Sequence, residues 1–90
     1  MPKTVSILIT GKVQGVFYRK SARDQALSAG LCGHVRNLPD GSVEAIATGE
    51  PEQLGSFIAW CKQGPPRAIV EEVTVSEIKF QSFEDFKIVR

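Results

Sequence analysis

The chain has 90 residues, of which 42% are hydrophobic, and it carries 11 basic and 10 acidic side chains. This composition predicts one small domain over residues 1–90, and a formal net charge of +1 argues against a large nucleic-acid-binding surface. The N-terminus has a strand pattern instead of a signal peptide, and no apolar run approaches the ~20 residues that span a bilayer, so we expect a cytoplasmic protein without a membrane partner. The small size and balanced charge favour a monomer.

The first half of the chain is predicted to contain three strands and one helix. Apolar and polar residues alternate over Thr4–Thr10, which predicts a strand, and Leu8 makes both of its faces partly apolar, as in a central strand. Alanines at helical spacing over Ser21–Ala29, closed by a glycine, predict the first helix. Two further strands are predicted over Leu31–Leu38 and Ser42–Thr48, separated by a turn with the sequence Pro-Asp-Gly.

The second half is predicted to contain a helix and two strands. Pro51 is suited to the first turn of a helix whose apolar residues recur at i, i+3, i+4 and i+7, and a Gly-Pro-Pro sequence ends it. A long strand is predicted over Ala68–Phe80. Its apolar phase changes between Val75 and Ile78, which predicts a β-bulge there. Phe86–Val89 has the pattern of a short final strand.

The order of these elements is βαββαβ plus a terminal strand, which predicts a ferredoxin-like α/β sandwich: an antiparallel sheet with two helices on one face and a short C-terminal strand. A right-handed crossover makes the first two strands parallel, so their C-terminal ends lie at one edge of the sheet. With one strand between them, these ends are ~10 Å apart. The loop after the first strand and Asn37, at the end of the second, are therefore expected to lie close together.

The loop after the first strand, residues 11–19, has the sequence Gly-Lys-Val-Gln-Gly-Val-Phe-Tyr-Arg. Glycines allow the backbone to curl so that several N–H groups point inward as an anion-binding nest. The positive end of the following helix and the planar guanidinium of Arg19 favour a phosphate in the same place. The sequence therefore predicts a phosphate site without a metal, formed by Gln14, Gly15, Val16, Phe17, Tyr18 and Arg19.

Asn37 precedes a turn sequence and could simply initiate that turn. Its predicted position at the loop edge also suits a catalytic role, because its amide can orient a water molecule without removing a proton from it. The residue alone leaves both roles open. Lys12 could attract anionic substrates or only be solvated. The carboxylates show no spacing typical of a metal site; those considered are Asp40, Glu50, Glu71 and Glu72.

Two long segments resemble the signatures of the acylphosphatase family. The first is residues 11–19, and the second is Gly33-His34-Val35-Arg36-Asn37. Gly64-Pro65-Pro66 and the closing segment Asp85-Phe86-Lys87-Ile88-Val89-Arg90 also resemble that family, so the similarity extends over nearly the whole chain.

This resemblance implies a ferredoxin-like enzyme that hydrolyses acyl phosphates to a carboxylate and inorganic phosphate without a cofactor. It also implies that Arg19 and Asn37 are the essential residues. His34 departs from the family pattern, which usually has an aromatic residue there. Strand alternation predicts a surface histidine on the face opposite Asn37, not a general base.

Other functions are less consistent with the sequence. The predicted central strands have no aromatic residues on which RNA bases could stack, and no CxxC pair is present for a metal chaperone. Lys20-Ser21 lacks the preceding glycine of a nucleotide-binding P-loop. A domain that binds carbamoyl phosphate or another anion without hydrolysis is the alternative that stays open, although the short chain favours a free-standing hydrolase. Cys32 and Cys61 are expected to be reduced, with a disulfide not excluded.

Overall fold

Seven elements of secondary structure follow one another along residues 1–89, the part of the chain that the computed structural model describes. Arg90, the last residue of the closing segment, lies outside the described residues. The elements are β1 (Lys3–Lys12), α1 (Tyr18–Ser28), β2 (Cys32–Asn37), β3 (Val43–Gly49), α2 (Pro51–Gln63), β4 (Ile69–Ile78) and β5 (Phe86–Ile88).

The strands form one sheet with the order β4-β1-β3-β2-β5. β1 pairs antiparallel with β3 and β4, and β3 pairs antiparallel with β2. β1 and β2 are therefore parallel with one strand between them, as expected for a right-handed crossover. β5 pairs parallel with β2, which makes the sheet mixed. After β4 the chain reverses direction and crosses to the opposite edge of the sheet. β5 therefore runs antiparallel to β4 and in the same direction as β1 and β2.

The core lies between the sheet and the two helices. Alternate residues of β1 point toward the helices, and Val5, Ile7 and Ile9 are almost completely buried. They share one hydrophobic cluster with Ala22 and Ala26 of α1 and with apolar residues of α2, β2 and β3. Burial stabilises each large apolar side chain by roughly 1.5–3 kcal/mol, so this face fixes the register of the strands.

Helix α1 begins three residues earlier than the alanine pattern predicted. Its first residue is the buried Tyr18, whose hydroxyl donates a 2.7 Å hydrogen bond to the backbone carbonyl of Cys61 in α2. Burial raises the pKa of the Tyr18 hydroxyl, so it stays protonated and keeps this bond at neutral pH. A contact with a residue far along the chain thus sets the start of the helix, and local sequence cannot reveal it.

The β-bulge predicted between Val75 and Ile78 is wrong, because pairing with β1 is continuous there. The register shifts instead where Thr10 faces Glu72 and Gly11 faces Val70. A Cβ atom on Gly11 would lie 2.2 Å from a carbonyl oxygen of β4, so glycine permits the close approach of the two strands at the shift. The phase change arises because β4 is an edge strand and most of its side chains are exposed.

The segment between β4 and β5 is held against the sheet by paired threonines. The Thr48 hydroxyl donates to the backbone carbonyl of Gln81 at 2.8 Å, and the Thr4 hydroxyl donates to Thr48 Oγ1 at 2.7 Å. The N–H of Gln81 in turn donates to Thr4 Oγ1 at 2.8 Å. This clamp guides the chain toward β5, whose Ile88 borders the site described below.

Cys32 and Cys61 are both free thiols in the structure. Cys61 is buried, and burial raises the pKa of its thiol to about 12. The thiol is therefore protonated at neutral pH and behaves as a small apolar side chain. Neither of the described helices is both long and apolar enough to cross a membrane.

Candidate active site

The loop between β1 and α1 has an alternating backbone conformation. Gly15 and Phe17 have positive φ angles of 74° and 64°, while Val16 between them does not. Such alternation turns successive N–H groups toward one side of the backbone and forms a concave nest for an anion. Gly15 reaches this conformation without strain because it has no Cβ atom.

The backbone N–H groups of residues 15–20 have no hydrogen-bond acceptor within the described part of the chain. The first helical bond is donated by the N–H of Ser21 to the carbonyl of Phe17, at 3.1 Å. Phe17 occupies the N-cap position, and its side chain makes no capping hydrogen bond. A run of free donors at the positive end of a helix is an arrangement that binds phosphate groups.

The loop is attached to the turn after β2 by one side chain. Gln14 Nε2 donates hydrogen bonds to the carbonyl of Leu38 at 2.8 Å and to that of Ser42 at 2.9 Å. Both carbonyls belong to residues that close the turn between β2 and β3, so the bonds connect the loop to the end of β2. Gln14 thereby fixes the distance between the loop and Asn37.

Replacing Gln14 with leucine is expected to lower the free energy of unfolding by about 1–2 kcal/mol, because two hydrogen bonds are lost while each carbonyl keeps a backbone partner. Urea unfolding measures the change. Gln25→Leu is the matched control, since Gln25 is exposed on α1 and should change stability by much less. Equal stability of the two variants would contradict a bridging role for Gln14.

The side chain of Asn37 takes no part in the turn that follows it. That turn is closed by the N–H of Leu38 donating to the carbonyl of Ser42, and by Asp40 accepting from the N–H and hydroxyl of Ser42. These bonds lower the pKa of Asp40, the hydroxyl contributing most. Asn37 Oδ1 is buried and has no partner among the described residues. A buried acceptor without a partner costs free energy, which a bound water or ligand would recover.

Arg19 and Asn37 line the same cleft, which has a volume of about 300 Å³. The guanidinium of Arg19 is half-buried and forms no ion pair with any carboxylate of residues 1–89. It is therefore available to an anion in the cleft. The residues lining the cleft are Val13, Gly15, Phe17, Tyr18, Arg19, Lys20, Asn37 and Ile88.

His34 lies on the other face of the sheet, as strand alternation predicted. Its ring packs edge-to-face on Phe83 with 5.7 Å between ring centroids, and it lines a separate cavity of about 330 Å³. The side chain is half-buried, so it is not the plain surface histidine that the sequence suggested. It has no part in the cleft of Arg19 and Asn37.

With this geometry established, comparison with known proteins identifies the family. The family model described as Acylphosphatase matches residues 5–88. The chain belongs to the acylphosphatase family. An acylphosphatase of Acaryochloris marina is 52% identical over 92 residues, covering 100% of this chain and 99% of the relative. This identity supports assigning the chain as an acylphosphatase hydrolase.

Solved acylphosphatase structures show the same fold. One from Coxiella burnetii has a TM-score of 0.95 and 38% sequence identity, and the match covers 98% of this chain and 93% of that one. Full-length HypF, in its phosphate- and nucleotide-bound form, matches with a TM-score of 0.89 and 29% identity. That match covers 100% of this chain and 12% of HypF.

The acylphosphatase cleft contains most, but not all, of the residues that the sequence predicted for phosphate binding. Gln14 is absent from its lining and acts as a bridge, Val16 is buried, and Lys12 lies away from the cleft. Lys20 and Ile88 also line the cleft, although neither was predicted there. The resemblance of the closing segment to the family pattern was the available signal for Ile88. Nothing in the local sequence distinguishes Lys20 from a solvated lysine.

The described residues contain no group of three or more His, Cys, Asp or Glu side chains that could hold a metal ion. The cations and donors that face the cleft are a guanidinium, an ammonium group and backbone N–H groups. This donor set is suited to an oxyanion and unsuited to a metal ion.

Proposed function

We propose that this acylphosphatase hydrolyses the carboxyl–phosphate bond of small acyl phosphates by direct attack of a water molecule on phosphorus. The observation that carries the proposal is the meeting, in one cleft, of the free N–H groups of residues 15–20, the guanidinium of Arg19 and the unpartnered Asn37 Oδ1. Every group that the mechanism uses comes from one chain, which is consistent with the predicted monomer. A cytoplasmic location stays a prediction.

The phosphoryl group sits in the loop over residues 14–19, where backbone N–H groups donate to its oxygens. Arg19 donates two parallel hydrogen bonds to equatorial oxygens, and each charge-assisted bond contributes about 1.5–3 kcal/mol. These donors are in place before the substrate binds, so they stabilise charge that develops in the transition state without reorganising. In many phosphoryl transfers a metal ion neutralises the charge on the phosphate oxygens. Here that role is assigned to the loop and Arg19.

Asn37 accepts a hydrogen bond from the attacking water and holds it in line with the bond that breaks. A new bond forms between the water oxygen and phosphorus as the bond between phosphorus and the acyl oxygen breaks. The carboxylate leaves with the bonding electrons, and the proton of the water passes to a phosphate oxygen. Because the parent acid of a carboxylate has a low pKa, the leaving group needs no general acid.

Hydrolysis of benzoyl phosphate with excess chelator tests the reaction class. We expect undiminished turnover, with benzoate and inorganic phosphate formed in equal amounts. In water enriched in ¹⁸O, the label should enter the phosphate and not the benzoate, since attack is on phosphorus. Label in the benzoate would show attack on the acyl carbon and contradict the mechanism.

A pre-steady-state burst of benzoate equal to the enzyme concentration would also contradict direct attack, because it would indicate a phosphorylated enzyme. Inorganic phosphate binding without any hydrolysis would instead favour the alternative that the sequence left open, an anion- or carbamoyl-phosphate-binding domain.

A further inference from the structure

Phe17 combines two unfavourable features in a single residue. Its φ of 64° is the only positive φ of a non-glycine residue in the described part of the chain. Its side chain is 69% exposed, although it is a large apolar ring. A left-handed backbone costs roughly 1–2 kcal/mol in a residue with a Cβ atom. Folding therefore gains little from a phenylalanine here, and glycine would adopt the same backbone at lower cost.

The position of the ring suggests what the residue does. Phe17 lines the cleft of Arg19 and Asn37, whereas other exposed apolar side chains, including Phe80 and Leu27, do not. Local strain that is kept at a ligand site is a common mark of function.

The cleft has a polar part and an apolar part. Arg19, Lys20 and Asn37 supply the polar groups. Among its apolar side chains, Val13 and Tyr18 are about 1% exposed and can offer little surface, whereas Phe17 is open and Ile88 is half-buried. The volume of about 300 Å³ falls within the range of small-molecule pockets, which leaves room for more than a phosphate group.

We infer that Phe17, with Ile88, contacts the acyl group of the substrate and gives the enzyme a preference for acyl phosphates with an aromatic or branched apolar acyl group. The inference rests on the proposed function, because it takes the phosphoryl group to lie in the loop over residues 14–19. In this inference the acyl group occupies the part of the cleft that Phe17 and Ile88 line. Contact between an aromatic ring and an apolar group strengthens binding by about tenfold in a partly open site.

The test compares kcat/KM for benzoyl phosphate with kcat/KM for acetyl phosphate in Phe17→Gly. Glycine keeps the positive φ that the nest requires and removes only the ring. We expect the benzoyl-to-acetyl ratio of kcat/KM to fall by about tenfold, mostly through a higher KM for benzoyl phosphate. Phe17→Tyr should retain the wild-type ratio, since it keeps the ring.

Phe80→Gly is the matched control. Phe80 is 54% exposed and lies outside the lining of the cleft, so the same substitution there should leave the ratio unchanged. The inhibition constant for inorganic phosphate reports separately on the phosphate loop in each variant.

Three outcomes would overturn the inference. An equal fall of kcat/KM for both substrates in Phe17→Gly would mean that the ring only shapes the loop. A ratio that does not change would mean that the acyl group points away from Phe17. Wild-type protein that hydrolyses neither substrate would overturn the proposed function itself, and with it the acyl contact, so the two failures are distinguishable.

Discussion

Replacing Asn37 with alanine is expected to lower the turnover number at least ~100-fold while leaving the protein at least as stable as the wild type. The catalytic loss follows because the water is no longer held in line with the breaking bond. Stability should not fall, because Asn37 Oδ1 makes no hydrogen bond with the described residues and its removal therefore breaks none within the fold. A residue that only initiated the turn would behave in the opposite way.

Three measurements on Asn37→Ala distinguish a water-positioning role from a turn-initiating role. They are kcat for benzoyl phosphate, urea unfolding, and calorimetric titration with inorganic phosphate. Phosphate affinity should change little, since the N–H groups and Arg19 are retained. Asp40→Ala is the control in the same turn. It removes the acceptor for the N–H and hydroxyl of Ser42, so stability should decrease while kcat is retained. Near-normal turnover in Asn37→Ala would refute the role assigned to that residue.

The parts of this fold that could be predicted from sequence are those that local patterns determine. The alternation in β1, the helical spacing and proline start of α2, and the glycine-rich loop each reflect interactions within a few residues. The topological rule for a right-handed crossover then placed Asn37 at the same edge as the loop, and the structure puts both in one cleft.

The parts that could not be predicted depend on residues far apart in the chain. The start of α1 is set by the contact of Tyr18 with α2, and the β-bulge is set where Gly11 meets β4. The bridge from Gln14 to the turn after β2 spans 24 and 28 residues. The sequence pointed to a role for Gln14 in the loop, but its acceptors become visible only once the strands are paired.

The same reasoning explains why Asn37 was ambiguous. An asparagine before a Pro-Asp-Gly turn is typical of a turn residue, and only the hydrogen bonds of the folded turn show that its side chain is not used there. The absence of a partner for Oδ1 among the described residues is thus a structural indication of function with no counterpart in local sequence.

Arg19→Lys is expected to lower kcat/KM at least ~100-fold although the positive charge is kept. Lysine presents a single ammonium group and loses the planar pair of N–H donors that matches two phosphate oxygens. Loss of one charge-assisted hydrogen bond, at about 1.5–3 kcal/mol, corresponds to a factor of roughly 10–150, and a second weakened bond increases it. Both KM and the inhibition constant for inorganic phosphate should rise, in contrast to Asn37→Ala.

Lys20→Ala distinguishes this geometric effect from charge alone, because Lys20 is an exposed cation in the same cleft. Its removal should lower kcat/KM by less than ~10-fold, and the difference from wild type should shrink as salt screens its attraction for the anionic substrate. The defect of Arg19→Lys should persist at high ionic strength, since directed hydrogen bonds in a half-buried site are screened much less. If Arg19→Lys kept wild-type activity, a positive charge at that position would suffice and the paired hydrogen bonds would have no role in catalysis.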